Sequence, residues 1–299
     1  MILDLLGRVA DYGRSCLVLG LLAGLTLPDL ALALRPFLPE LVALLLAFTA
    51  FRIGPRDAVE SLGAVRRSLA RVLGLQLALP LIALSGALLI GASPLALVIV
   101  LLLSAPSVTG APNFAIMMGH DPAPALRMLI VGTAILPLTV LPIFWLMPGL
   151  GDPLAGLQAS GRLLVVIALA TGLAFALRHW AMPNLRERPR RALDGVTAIA
   201  IAIIVIALMS AIGPALRDDP LALLGWLAAA FAVNFGLQIL TYLRSGDVPL
   251  SLVAGNRNVA LFLVALPPET TDPLLIFIGC YQIPMYLTPL LLKRFYAPS

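Results

Sequence analysis

Ser104-Ala105-Pro106-Ser107-Val108-Thr109-Gly110-Ala111-Pro112-Asn113 lies in the middle of an apolar run from about 94 to 118. A continuous helix does not choose two prolines and a glycine at its centre. Proline removes an amide donor and clashes with the preceding turn, which costs about 3 kcal/mol in a helix interior. The run therefore reads as a helix interrupted near its middle. A second such place is Ala254-Gly255-Asn256-Arg257-Asn258, three strongly polar residues in a run otherwise built of Leu, Val, Ala and Phe. Even on a lenient insertion scale, an arginine at the centre of a bilayer costs roughly 3 kcal/mol.

The rest of the chain supplies the setting. Of 299 residues, 61% are hydrophobic and 12% charged, whereas a soluble domain is about half apolar and a quarter charged. At roughly 20 apolar residues per membrane span, the length admits about ten helices and no soluble domain beside them. Runs bounded by Pro, Gly and charge place them near 13–28, 37–51, 68–90, 94–118, 123–147, 161–177, 192–213, 220–242, 247–266 and 272–292. The expected fold is an all-α membrane protein.

Internal repetition divides the chain in two. Gly13-Arg14 followed by Gly24-Leu25 recurs as Gly161-Arg162 followed by Gly172-Leu173, displaced by 148 residues. Gly132, Pro137 and Pro142 recur as Gly279, Pro284 and Pro289, displaced by 147. The expectation is two five-helix repeats, 1–150 (spans 1–5) and 151–299 (spans 6–10). An odd number of spans per repeat turns the second repeat upside down relative to the first, an architecture of many secondary transporters. The interrupted spans 4 and 9 then occupy corresponding places.

Charge reports orientation. All of the 20 basic residues except Arg35, Arg162, Arg217 and Arg257 fall in or beside the two termini and the loops after spans 2, 4, 6 and 8. By the positive-inside rule those faces are cytoplasmic, so a cell inner membrane with both termini inside is expected. The net charge of +5 is thus a matter of topology and does not indicate nucleic acid. Met1 to Arg14 carries Asp4 and Asp11 and lacks the pattern of a secretory signal. Cys16 and Cys280 lie in apolar stretches without metal-ligand spacing and read as packing residues.

Each interruption taken singly has a plainer reading. A proline kinks many helices for packing alone, and an arginine can snorkel to the interface. Two interruptions in corresponding spans point instead to a site. Broken helices expose backbone groups that lipid cannot satisfy, so they persist only where buried or lining a cavity. Half-helix amides attract anions and half-helix carbonyls attract cations. The candidate substrate-binding residues are Ser107, Thr109, Asn113, Asn256, Arg257 and Asn258.

At these residues the chain resembles the bile acid:sodium symporter family and its wider superfamily. The likeness spans the whole chain and includes an Arg-rich loop after span 2 (Arg52 to Asp57, Arg66-Arg67) and Gln76 followed by Pro80 in span 3. It is most specific in Ala105-Pro106 leading to Asn113 and in Gly255 to Asn258, similar to the family's Gly-Met-Gln-Asn segment. The resemblance implies ten helices in two inverted repeats, with broken helices 4 and 9 crossing near the midplane. It also implies that Asn113 and Asn258 line the crossover and that Gln76 faces it, making Gln76 and Asn113 candidate ion ligands.

The departures bear on coupling. Val253 stands where sodium-coupled members carry glutamate, Arg257 replaces a glutamine, and Ala125 and Leu129 stand where the family places hydroxyl ligands. Pro112 replaces the serine before Asn113. All 15 acidic residues fall in loops or at span ends. A fixed guanidinium beside the crossover repels a cation and attracts an anion, so Arg257 is expected to take the electrostatic part that bound sodium plays in relatives. The expected activity is transport of a small organic anion by alternating access, with no catalytic residue, metal or cofactor and with sodium coupling in question.

Three rival activities are weaker. A metalloid or other solute efflux carrier of the superfamily calls for a thiol in span 4, which is absent. A channel calls for rings of charge or a filter. A membrane enzyme calls for a nucleophile motif, HExxH or paired carboxylates within the spans, and none is present. Among the remaining polar residues, His120 and Asp121 read as a solvated turn and His179 with Trp180 as an interfacial anchor. Asn234, Gln238 and Thr241 share one face of span 8 and read as interhelical hydrogen-bond partners.

Overall fold

Long apolar segments separated by short proline- and glycine-marked turns fold here as helices throughout. The structure is a computed structural model that describes residues 2–60, 65–148, 153–183, 185–266 and 268–297. Among these there is no strand, only one isolated antiparallel bridge, Ser107 with Arg257. Among the described residues, seven helices are long and apolar enough to cross a membrane: Pro28–Arg56, Val65–Ile90, Ala123–Leu146, Leu154–Ala181, Glu187–Asp218, Pro220–Ser245 and Leu274–Leu291. Each covers one span expected from the sequence. Ser15–Thr26 is a shorter apolar helix, and the runs at 94–118 and 247–266 are each divided into two pieces. The boundary between the expected repeats, at 150 and 151, lies outside the described residues.

The polarity is distributed as lipid solvent requires. Val165, Leu169, Leu173 and Leu177 recur every four residues and are all exposed, an apolar stripe along one helix with no protein over it. Gln76, Asn234, Gln238, Asn256 and Arg257 are buried instead. This is the pattern of an α-helical membrane protein.

The chain forms two compact units, Met1–Val59 with Val165–Leu223 and Glu60–Leu164 with Leu224–Ser299. Each therefore combines helices from both halves of the sequence. In the first unit, the Gly13–Thr26 helix packs on the Glu187–Leu208 helix. Gly20 and Gly24, one turn apart, make that approach possible: a Cβ on Gly20 would lie 2.8 Å from the Ala202 carbonyl oxygen, and one on Gly24 2.7 Å from Met209 Cβ. Small residues four apart are a common device for close helix contact in lipid.

The helix Ile2–Asp11 was not anticipated from the sequence, being too short and too polar for a span. It lies against Glu187–Leu208 and is tied there by Arg188 to Asp4 and Arg191 to Asp11 ion pairs of 2.5 and 2.6 Å. The Arg188 guanidinium holds the Asp4 carboxyl down at about 2. A depressed carboxyl favours the folded state above its ordinary pKa of about 3.9, and that contribution disappears as pH falls through the folded value. Asp4→Asn is thus expected to lower the thermal midpoint slightly at pH 7. The difference from wild type should close between about pH 4 and pH 2 and shrink in high salt, as measured by scanning fluorimetry in detergent.

Candidate functional site

The second unit contains both interrupted helices, and each ends for a local reason. The helix Pro94–Ser104 starts at Ser93, whose Oγ accepts from the Ala96 amide at 3.2 Å. It stops because Pro106 follows: the residue before a proline is driven out of the helical region, and Ala105 has φ −68° and ψ 150°. The chain resumes as Ala111–Met117, with Pro112 in its first turn. The helix Val248–Gly255 starts at Asp247, whose carboxylate accepts from the Leu250 amide at 2.9 Å. It ends at Asn256, with φ −107° and ψ 94°, and is followed by the tight helical turn Val259–Val264. No proline stops this one. The Asn256 side chain donates back to the Leu252 carbonyl at 3.0 Å, the local competition by which asparagine leaves helices.

The two interruptions meet. The Val108 amide donates to the Asn256 carbonyl at 2.9 Å, and the Asn258 amide donates to the Pro106 carbonyl at 2.8 Å. These bonds place Ser107 opposite Arg257 in the antiparallel bridge. Each broken helix thereby supplies what the other lost, and backbone that lipid would leave unsatisfied is paired inside the protein.

Arg257 binds this junction together. Its Nε donates to the Ala254 carbonyl at 2.8 Å, Nη1 to the Ala105 carbonyl at 3.0 Å and Nη2 to the Leu75 carbonyl at 3.2 Å. Two of these acceptors terminate the half-helices Val248–Gly255 and Pro94–Ser104, where the helix dipole is negative. The third lies in a π-helical turn, Gly74–Ala78, that loosens the third span. Only 2% of Arg257 is exposed, and among the described residues no carboxylate forms an ion pair with it. Among the described residues the positive charge is answered by the dipoles of these three carbonyls.

A polar cluster supports the second interruption. Asn234 Nδ2 donates to the Gly255 carbonyl at 2.6 Å, and the Tyr281 hydroxyl donates to the same oxygen. Gln238 Nε2 donates to Asn234 Oδ1 at 2.7 Å and to Thr288 Oγ1 at 3.1 Å, and Thr288 donates to Asn256 Oδ1 at 3.1 Å. Asn234 and Gln238 are thus interhelical partners, as their shared helix face suggested. Thr241 takes no part in this cluster.

Of the residues singled out from the sequence, the structure brings Ser107, Asn256, Arg257 and Asn258 together. Ser107, Asn256 and Arg257 are buried, Thr109 and Asn258 half-buried, and Asn113 exposed on the next helical turn. Gln76 is buried, but its Nε2 is directed into the fifth span, to the Gly132 carbonyl at 3.0 Å and Thr139 Oγ1 at 2.9 Å. Val253 and Ala125 pack in one apolar cluster with Val72, Ala111, Met128 and Val131, and Leu129 is buried as well. Among the described residues, no group of His, Cys, Asp and Glu side chains is arranged to hold a metal ion.

No protein-family model matches the chain, and no curated protein matches it.

Sequence reading passed over Thr139, Tyr281 and Thr288. The available signal was weak: single hydroxyls in apolar spans, Thr288 bonded to its own helix at the Pro284 carbonyl. His120 and Asp121 do form a turn. Asp121 accepts from the Ala123 amide at 3.0 Å, and His120 Nε2 lies 2.8 Å from the Tyr296 carbonyl oxygen.

Proposed function

We propose that this protein is a secondary carrier of a small organic anion, working by alternating access and built like members of the bile acid:sodium symporter family. In this reading ten spans form two inverted repeats, 1–150 and 151–299, lie in a cell inner membrane and leave both termini in the cytoplasm. The observation that carries the reading is the paired interruption: two broken helices, one from each half, joined through their backbones around a buried guanidinium. Interrupted helices at matching places in two halves are where such carriers hold their substrate. Thr109 and Asn258, half-buried, and Asn113, exposed, would supply polar contacts. Arg257 supplies the charge. Its remaining Nη hydrogens would take a carboxylate.

Cation coupling has little to work with here. The half-helix carbonyls that would attract a cation are held by Arg257, and Val253 and Ala125 are packed among apolar side chains. Gln76 is turned towards Gly132 and Thr139. Uptake into proteoliposomes is therefore expected to persist when sodium is replaced by choline; a strict sodium requirement would overturn this part.

The carrier reading is tested by accessibility. Single cysteines at positions 109 to 113 should gain reactivity towards a membrane-impermeant maleimide from one side as they lose it from the other when an organic anion is added. Labelling that is constant from both sides would refute alternating access. Saturable uptake with counterflow separates a carrier from a channel.

A further inference from the structure

The first unit holds a cavity that the carrier reading does not use. The Leu38–Glu60 helix bends at Gly54, whose φ of 80° and ψ of 160° suit glycine alone. The bend opens a cavity of about 350 Å³ whose wall includes Gly54, Arg56, Arg178, His179 and Arg186. Such a volume lies at the small end of the range for small-molecule sites. Among its described residues the wall has three guanidinium groups and no acid.

Two further features mark it as unfinished. Arg178 Nη1 donates to the Met182 carbonyl and the guanidinium carbon sits 5.9 Å from the centre of the Phe51 ring, yet Nε is buried without an acceptor among the described residues. Buried donors of that kind are rare in a finished fold. Arg186 is also the N-cap residue of the 22-residue helix Glu187–Leu208, and no side chain caps that end. Glu187, at the first helical position, is not part of the wall. The positive-inside tendency accounts for arginines in loops but not for a cavity walled by them. The second unit shows the contrast: its basic cavity of about 760 Å³ includes Asp247, paired with Arg71 at 2.7 Å.

We infer that the cavity at Gly54 binds a phosphate group, either as free phosphate or as the headgroup of an anionic lipid. Guanidinium forks match phosphate oxygens, and an uncapped helix N-terminus adds amides and a positive dipole end. Gly54 takes the positive φ that makes the bend and also leaves room for the guanidinium, since a Cβ there would lie 3.3 Å from Arg178 Nε. Trp180, exposed beside His179, is a residue type that settles at the headgroup level of a bilayer.

The test uses the purified full chain in a neutral detergent and follows its thermal midpoint. One arm compares sodium phosphate with sodium chloride at matched ionic strength. The other compares phosphatidic acid with phosphatidylcholine at equal lipid-to-detergent ratio. A saturable rise is expected in at least one arm, with the half-saturating concentration raised about tenfold in Arg178→Gln and in Arg186→Gln. Arg186 is exposed, so its variant serves if Arg178→Gln fails to fold. Arg217→Gln, an equal loss of charge on the surface of the same unit, should respond like wild type. A rise with inorganic phosphate identifies the free anion as sufficient, and a rise with phosphatidic acid alone identifies the headgroup; either upholds the site. No saturable rise in either arm, or an equal weakening by Arg217→Gln, overturns it.

Discussion

Arg257→Met is expected to lower the stability of the purified protein by about 3 kcal/mol or more and to abolish anion uptake. Two effects oppose one another. Removing the guanidinium relieves the desolvation of a buried charge, worth several kcal/mol. It also strips three carbonyls, on Ala254, Ala105 and Leu75, of charge-assisted bonds worth roughly 1.5–3 kcal/mol each. Those oxygens then remain in an apolar interior with no donor, at about 1–3 kcal/mol apiece, and the second loss outweighs the first. Lysine keeps the charge, but a single ammonium does not span acceptors on three different helical segments. The expected order of thermal midpoints is wild type, Lys, Gln, Met. Anion affinity should fall in the same order. A Met variant as stable as wild type would refute the junction role, and a Lys variant with unchanged midpoint and affinity would refute the need for the planar group.

Gly255→Ala is expected to be nearly as damaging, for steric reasons. A Cβ at Gly255 would overlap Gln238 Cγ and the Asn234 carbonyl oxygen. The side chain has room to shift, but the carbonyl belongs to the helix Pro220–Ser245 and does not. Overpacking a core costs about 1–3 kcal/mol when neighbours can adjust. Here the adjustment would also stretch the bonds from Asn234 and Tyr281 to the Gly255 carbonyl, and through Asn256 the bond to Val108. The expected result is a loss above 2 kcal/mol, at the upper end of that range, with poor yield of folded protein. Gln238→Ala removes the offending Cγ, so the double variant should be more stable than the sum of the single losses predicts. Strict additivity would show that Gly255 and Gln238 are not in contact.

The apolar runs were legible because lipid solvent demands them. Span 4 was readable as interrupted from Pro106, since proline acts on its neighbours through local sterics whatever surrounds it. Span 9 was readable only as a polar cluster in an apolar run, because the presence of an asparagine does not by itself say whether its side chain will bond back to the preceding turn, as Asn256 does to Leu252. The partners of Arg257 were not legible at all. Its acceptors at Leu75 and Ala105 lie 182 and 152 residues away, and every residue has a carbonyl, so no side-chain pattern announces which ones are used. The π-helical turn at Gly74–Ala78 escaped for the same reason, as did the hydroxyls of Thr139, Tyr281 and Thr288, each a single polar atom that acquires meaning from another helix. The assembly of two units from interleaved parts of both halves is likewise a matter of long-range contact, which local periodicity does not carry.

The joint between the interrupted helices is made from main-chain atoms, Val108 to Asn256 and Asn258 to Pro106, and a main-chain bond is indifferent to the residue that provides it. The amides at 108 and 258 need only not be proline. The side chains at 108 and 258 can accordingly be exchanged without removing these two bonds, whereas Gly255 and Arg257 are held by what surrounds them, so part of the joint is free to drift and part is not. Such a scaffold separates heredity of form from heredity of preference. The surfaces around such a joint can be rewritten one residue at a time while the main-chain pairing that brings the two interruptions together is kept.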